Sequence, residues 1–262
     1  EMIMLSRIVA SKQKQLTLQK GSTPLAELKA MVWDAGPLRS FAAALQKPGV
    51  SLIAEIKFAS PSKGYFGLTD SAAELAEKYS QGAAEAISVL TEIDFFHGRN
   101  QYLTDVRRQV ILPVLRKDFI IDAYQLYESR CLCADAVLLI VRLLKKDTLT
   151  AFSELAHELG MDVIVETHNE EEIDLALASG AKIIGINNRN LETFTTHIER
   201  TLRLAPQIPP GVIKVSESGI HNCDDLSLVA TAGVDAVLIG EALVTATDPL
   251  TKIHELRKGT YK

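Results

Sequence analysis

The amino-acid sequence predicts an α/β fold of the (β/α)8 or TIM-barrel class, with an N-terminal helical extension. Three observations predict it. Short apolar runs recur eight times along the chain. Stretches with apolar residues at three- and four-residue spacing separate them. The 262 residues, 47% of them hydrophobic, suit one undivided barrel.

The apolar runs are Ser51–Ile56, Ala86–Leu90, Ile111–Leu115, Ala136–Val141, Val163–Val165, Ile183–Ile186, Val212–Val215 and Ala236–Ile239. They are nearly continuous in Val, Ile and Leu, as parallel strands buried on both faces must be. Between them, Ala72–Gln81, Ala123–Cys133, Lys146–Leu159 and Asn169–Ser179 carry the helical spacing. Gly82, Gly160, Gly180 and Gly233 stand where helices should end before the next strand. Strict alternation argues for a closed parallel barrel. A doubly wound open sheet is the runner-up, but it would usually carry a Gly-rich turn after its first strand, and none stands there. Helical patterns at Leu5–Leu16 and Leu25–Trp33 precede the first strand. The whole of 1–262 is expected to form one barrel domain, with residues 1–50 as an extension covering one mouth.

Composition excludes several classes of function. The net charge is −5 and the lysines and arginines form no basic stretch, so nucleic acid is not an expected partner. A few local cations still suffice for an anionic small molecule. No apolar run is long enough to span a membrane. The opening Glu1-Met2-Ile3-Met4 reads as the start of an amphipathic helix, not a signal peptide. Cys131, Cys133 and Cys223 suggest neither a disulfide framework nor a zinc site. They read as thiols of a reducing cytoplasm.

Chemistry in this fold sits at the carboxyl ends of the strands. In the first run, Ile53, Glu55 and Lys57 share one face and Leu52, Ala54 and Ile56 the other, because side chains alternate. The second set suits the helix layer, so Glu55 and Lys57 should point into the barrel near its top. A buried acid and base two residues apart are costly as packing alone. The third run ends in Lys117, on the face of Leu115. The fifth ends in Glu166, on the face of Ile164, and the sixth in Asn187. Taken singly, each is an ordinary polar strand end. Taken together, they converge on one mouth and call for a function. Lys117 should be partly desolvated and its pKa lowered. Ser216-Glu217-Ser218-Gly219 and Ile239-Gly240-Glu241-Ala242 follow the last two runs. Gly219 and Gly240 would let backbone N–H groups approach an anion at the usual phosphate site of the fold. The segment from Phe58 to Leu68 is long for a strand–helix connection and is expected to move.

The stretch Ile53-Ala54-Glu55-Ile56-Lys57-Phe58-Ala59-Ser60-Pro61-Ser62-Lys63-Gly64 resembles the opening signature of indole-3-glycerol phosphate synthases. The likeness continues, in family order, through Ser88-Val89-Leu90-Thr91-Glu92, Leu115-Arg116-Lys117-Asp118-Phe119, Ala136-Val137-Leu138-Leu139-Ile140 and Val165-Glu166-Thr167-His168. It runs on through Gly185-Ile186-Asn187-Asn188-Arg189-Asn190-Leu191, Glu217-Ser218-Gly219-Ile220 and Leu238-Ile239-Gly240-Glu241. Many members carry serine where Glu241 stands. A phosphate there would have to use the backbone N–H, with the carboxylate turned away.

The resemblance implies ring closure, decarboxylation and dehydration of 1-(2-carboxyphenylamino)-1-deoxyribulose 5-phosphate to indole-3-glycerol phosphate, in tryptophan biosynthesis. It implies a cytoplasmic carboxy-lyase with no metal, no organic cofactor and no obligate protein partner. It makes Lys117 the general acid on the carbonyl oxygen and Glu166 the carboxylate base. Lys57 would bind the substrate carboxylate and could supply the acid for dehydration, and Glu55 would orient Lys57 or act as partner base. Asn187, Glu217 and Ser218 would hold the polar end of the aryl ring and the hydroxyls. Ser60, Arg189, Gly219 and Gly240 would serve the phosphate, and Phe96, Phe119, Leu138, Leu191 and Leu238 would enclose the aryl ring.

Two other functions fit parts of the pattern. A sugar-phosphate isomerase or aldol-type lyase would also need the phosphate site, and an aldolase would use a lysine as imine nucleophile. A non-catalytic phosphate-binding barrel would not need two acid–base pairs at its mouth.

Overall fold

The computed structural model describes residues 4–190 and 192–258, and it is a closed parallel barrel. Of the opening read as a helix start, Glu1, Met2 and Ile3 lie outside the described residues, as does Leu191. The barrel strands are β1 (Ser51–Ile56), β2 (Ala86–Leu90), β3 (Val114–Lys117), β4 (Ala136–Ile140), β5 (Asp162–Thr167), β6 (Ile183–Asn187), β7 (Ile213–Glu217) and β8 (Ala236–Ile239). Each pairs with its neighbour in sequence, and β8 pairs with β1, with Ser51 opposite Ala236. Helices α4 (Ala72–Gln81), α5 (Asn100–Gln109), α6 (Tyr124–Cys131), α7 (Lys146–Glu158), α8 (Glu170–Ala178), α9 (Glu199–Leu204) and α10 (Cys223–Ala230) lie between the strands. After β8 come α11 (Glu241–Val244) and α12 (Pro249–Arg257).

Alternation along each strand divides the core in two. Leu52, Ala54 and Ile56 join the layer between strands and helices, with Ile87, Val89, Val137, Leu139, Val163 and Val165. Ile53, Leu115, Leu138, Ile164, Val215 and Leu238 fill the barrel interior. Both faces exclude water, so the strands carry no polar face until they reach their carboxyl ends.

The third strand differs from the sequence expectation, Ile111–Leu115, by running from Val114 to Lys117. Pro113 has no N–H to give a ladder, and Ile111 lies on the surface at 87% exposure. The end of α4 differs as well. Gly82 has an ordinary φ, and Ala83 takes the left-handed turn with φ 61°. Gly82 is instead required by close approach, because a Cβ there would meet Ile253 Cδ1 at 2.8 Å.

The N-terminal extension touches both ends of the barrel. Helix α1 (Met4–Ser22) lies by the carboxyl-end mouth, where buried Lys12 pairs with Asp118 at 2.8 Å, just past β3. Helix α2 (Leu25–Met31) packs on α6. Helix α3 (Phe41–Leu45) closes the opposite end: Phe41 and Leu45 are fully buried in the interior cluster. The Ala42 N–H donates to Asp162 at the start of β5, at 2.8 Å. No helix among the described residues is long and apolar enough to cross a membrane.

Candidate active site

One cavity opens at the carboxyl ends of the strands. Glu55, Lys57, Lys117, Glu166, Asn187, Glu217 and Ser218 line it together. Phe96, Phe119, Leu138 and Leu238 supply apolar walls, and Arg189, Gly219 and Gly240 line it too. The polar groups converge because each ends an inward-facing alternation and because the register aligns the strand tips. Leu90 faces Lys117, Ile140 faces Glu166, and Asn187 faces Glu217.

Of the residues expected at the site, Ser60 does not line this cavity and Leu191 lies outside the described residues. Ser60 is buried in a short antiparallel ribbon, Ala59–Ser60 with Gly64–Tyr65, where its Oγ accepts from the Lys63 N–H at 3.2 Å.

Lys117 is the hub. Its Nζ stands 3.3 Å from Glu166 Oε2 and 3.1 Å from Glu217 Oε2. Burial alone would push its pKa down, the sequence expectation. Glu217, Glu166 and Glu55 outweigh burial and raise it. Burial also acts against the charged form of each carboxylate. For Glu166, the charges of Lys117 and His168 overcome it and hold the acid below its ordinary value. For Glu217, burial prevails, with Glu166 and Glu55 adding repulsion, and its pKa rises to about 7. One cation cannot neutralise several buried acids, so Glu217 is the carboxyl that carries a proton most readily. Its side chain also sits on Lys117, a contact that the sequence reading did not foresee.

Lys57 Nζ pairs with Glu55 Oε1 at 3.4 Å and lies 5.9 Å from the centre of the Phe66 ring. Two glycines make room for these acids. A Cβ on Gly240 would meet Glu55 Oε1 at 2.3 Å, and one on Gly185 would meet Glu217 Oε1 at 2.1 Å. Gly240 therefore answers to the acid–base pair as well as to any anion. A bulkier residue there would displace Glu55, so affinity alone would not report its effect. Gly219 has φ 84° and sits against Thr196. The Asn187 side-chain oxygen accepts from the Arg189 N–H at 3.0 Å, which ties the end of β6 to the loop that follows.

Lys63, Glu92, Phe194 and His168 escaped the sequence reading of roles, and Glu241 behaves differently from it. Glu241, expected to turn its carboxylate away from a phosphate, pairs with two cations: Oε2 takes Arg189 Nη2 at 2.7 Å and Oε1 takes Lys63 Nζ at 3.2 Å. Burial opposes its charge, but Arg189 and Lys63 hold its pKa down to about 2. Lys63 was visible only as part of a loop signature. Glu92 is fully buried and accepts from the N–H groups of Asp94, Phe95 and Phe96, at 3.1, 2.8 and 3.1 Å, so it sets the loop that carries Phe96. Phe194 adds an aromatic wall from the loop after β6. The fourth is His168, whose ring faces Glu166. Its position two residues past Glu166 was the available signal, since residues at that spacing share a face.

The cavity offers two lysines, ionised and protonatable carboxyls, an apolar wall and a nearby pair of cations. It can protonate an oxygen, accept a proton from carbon, and hold an anion at each end of a planar apolar molecule. The family model for indole-3-glycerol phosphate synthase matches residues 5–256. The chain is 45% identical to the indole-3-glycerol phosphate synthase of Alkaliphilus metalliredigens (strain QYMF), over 98% of this chain and 99% of that one. It is 46% identical to that of Roseiflexus sp. (strain RS-1), again over 98% and 99%. Among solved structures, a 3-hexulose-6-phosphate synthase superposes with a TM-score of 0.67 at 19% identity, over 81% of this chain and 100% of that one. A thiamine phosphate pyrophosphorylase from Pyrococcus furiosus does so with 0.61 at 18%, over 80% and 94%. At those identities the solved structures share the fold alone.

Proposed function

The chain belongs to the indole-3-glycerol phosphate synthase family, and from that premise we propose how the mouth of its barrel performs the reaction. The enzyme is a carboxy-lyase of tryptophan biosynthesis. It closes, decarboxylates and dehydrates 1-(2-carboxyphenylamino)-1-deoxyribulose 5-phosphate to indole-3-glycerol phosphate.

The observation that carries the assignment of roles is Lys117 Nζ held 3.3 Å from Glu166 and 3.1 Å from Glu217 beside an apolar wall. The aryl carbon bearing the carboxylate attacks the ribulose carbonyl. Lys117 gives a proton to the carbonyl oxygen as the new carbon–carbon bond forms. Carbon dioxide then leaves that aryl carbon, and its bonding pair restores the aromatic ring. In the last step the new hydroxyl leaves as water with a proton from Lys57. Glu166 takes the proton from the ring carbon next to nitrogen, and the indole double bond forms between the two carbons. Glu217, with its pKa near 7, can return a proton to Lys117 between steps.

Lys57 holds the substrate carboxylate before it leaves, and Glu55 orients Lys57. Asn187 and Ser218 hold the amine and hydroxyl groups. Phe96, Phe119, Leu138 and Leu238 enclose the aryl ring and keep water from the charged groups, which strengthens each polar contact. Ser60, through the loop that carries Lys63, serves the phosphate with Arg189, Gly219 and Gly240. The reading calls for no metal, organic cofactor, nucleic acid or obligate protein partner, and it puts a 1–262 single-domain enzyme in the cytoplasm.

Incubation with the aryl-amino ribulose phosphate tests it by the appearance of indole fluorescence. Borohydride added with substrate separates it from an imine-forming aldolase. Turnover with no trapped adduct is the expected result, and a covalent lysine adduct would remove the assignment of Lys117 and Lys57 as acids.

A further inference from the structure

His168 is the first residue beyond β5, and its side chain is completely buried. Both ring nitrogens face carboxylates. Nδ1 lies 3.1 Å from Glu172 Oε2, and Nε2 lies 3.5 Å from Glu166 Oε1. Neither Nε2 nor that Oε1 makes a hydrogen bond among the described residues, so the two face each other at ion-pair distance. Glu172 stands on the first turn of α8 and is itself held. Its Oε2 accepts the His168 backbone N–H at 2.7 Å, and its Oε1 pairs with Arg142 Nε at 2.6 Å.

The donor and acceptor inventory decides the state of this ring. Lys117 beside Glu166 and Arg142 beside Glu172 each favour the ionised carboxylate. An ionised carboxylate only accepts. A neutral imidazole would point a lone pair at one of the two, buried, with nothing to satisfy either. A ring with a proton on each nitrogen donates to Glu172 and turns an N–H towards Glu166. A chain of alternating charge then runs Arg142, Glu172, His168, Glu166, Lys117, from the rim of β4 into the cavity. Arg200 adds positive charge near Glu172 and Arg142, and Glu217 closes the inner end on Lys117.

We propose that His168 is a positioning residue for the reaction: as an imidazolium anchored by Glu172, it aims Glu166 Oε1 and keeps Glu166 ionised as the base. This rests on the assignment of Glu166 as base in the proposed function. His168 does not touch the substrate. It acts by turning Glu166 so that Oε2 faces Lys117 and the cavity while Oε1 is held from behind. It also supplies a second positive charge, so that proton transfer from Lys117 does not leave Glu166 alone among acids.

Three measurements test the proposal. The first uses the unaltered enzyme: long-range 15N correlation spectra of labelled histidine at neutral pH, with His168 assigned by its change in Glu172→Gln. Equivalent, doubly protonated nitrogens are expected, and the split pair of a neutral tautomer overturns the proposal. The second is the pH profile of kcat/KM for His168→Gln, which keeps an N–H near Glu166 but removes the charge. Its acidic limb should move up by about one pH unit, the scale for losing an opposite charge at this distance. At pH above that limb activity should return, with KM little changed. A loss of thermal stability with the acidic limb unmoved means that His168 is merely structural, and the proposal falls. If His168→Gln does not fold, Glu172→Gln reads the same limb, because it removes the anion that anchors the ring. The third measurement is Glu166→Gln. If it turns over normally, the assignment of the base fails, while the spectra still decide the state of His168.

Discussion

Glu241 Oε2 binds Arg189 Nη2 at 2.7 Å, joining the residue after Gly240 to the loop after β6. Its other oxygen binds Lys63 on the loop after β1. One carboxylate therefore pairs with both cations and offsets one of their two positive charges. With a pKa near 2 it stays charged at any working pH. In the proposed assignment of roles, a substrate phosphate would share Arg189 and Lys63 with it. Glu241→Ser is expected to tighten binding of product and of inorganic phosphate several-fold and leave kcat little changed. Calorimetric titration checks it. Weaker binding in Glu241→Ser would mean that the carboxylate orders the cations rather than competing for them.

The two lysines should fail differently. Lys117→Ala is expected to lose about two to four powers of ten in kcat, the range for a positioned acid, with a modest effect on affinity. Lys57→Ala should raise KM as well, because in the proposed mechanism its charge meets the substrate carboxylate before any bond changes. Single-turnover rates of ring closure separate them. Closure at the normal rate in Lys117→Ala would remove it as the acid. Since its neighbours raise its pKa, the loss in Lys117→Ala should persist to alkaline pH.

Glu217 makes stability depend on pH. Its folded pKa, about 7, lies above the ordinary value of 4.5. Between those values the folded protein binds the extra proton, so this group's contribution to stability declines as pH rises from 4.5 to 7. Glu217→Gln should flatten that decline. Midpoints of thermal unfolding at pH 5 and pH 8, for both proteins, measure it. An equal decline in both would place the proton elsewhere in the cluster.

The loop from Phe58 to Leu68 is anchored at its base and reaches the site with its tip. Phe58 packs on Tyr102 with ring centres 4.9 Å apart, and Lys63 meets Glu241. Its closure over substrate should limit turnover in part. Added viscosogen is expected to lower kcat, and Lys63→Ala to reduce that sensitivity. A kcat indifferent to viscosity ends the gating idea.

Much of this protein was legible in the sequence, because burial on both faces makes barrel strands read as apolar runs. Period-two alternation then decides which side chains enter the barrel, and so Glu55, Lys57, Lys117, Glu166 and Asn187 could be named together at one mouth. Helix and strand ends were less legible. Pro113 and Ala83 shift them through a missing N–H and a local turn that periodicity does not register.

What only the tertiary structure decided is how charges on different strands meet. Sequence spacing could not say that Glu217 would join Glu166 on Lys117, and so it predicted a lowered lysine pKa where a raised one results. Nor could it bring Glu241 to Lys63 and Arg189, or Glu172 to the far side of His168. Apolar pattern is a local property of one chain segment and survives in the sequence. Electrostatic energy depends on separations of a few ångströms between segments far apart in sequence, and closing the barrel sets those separations.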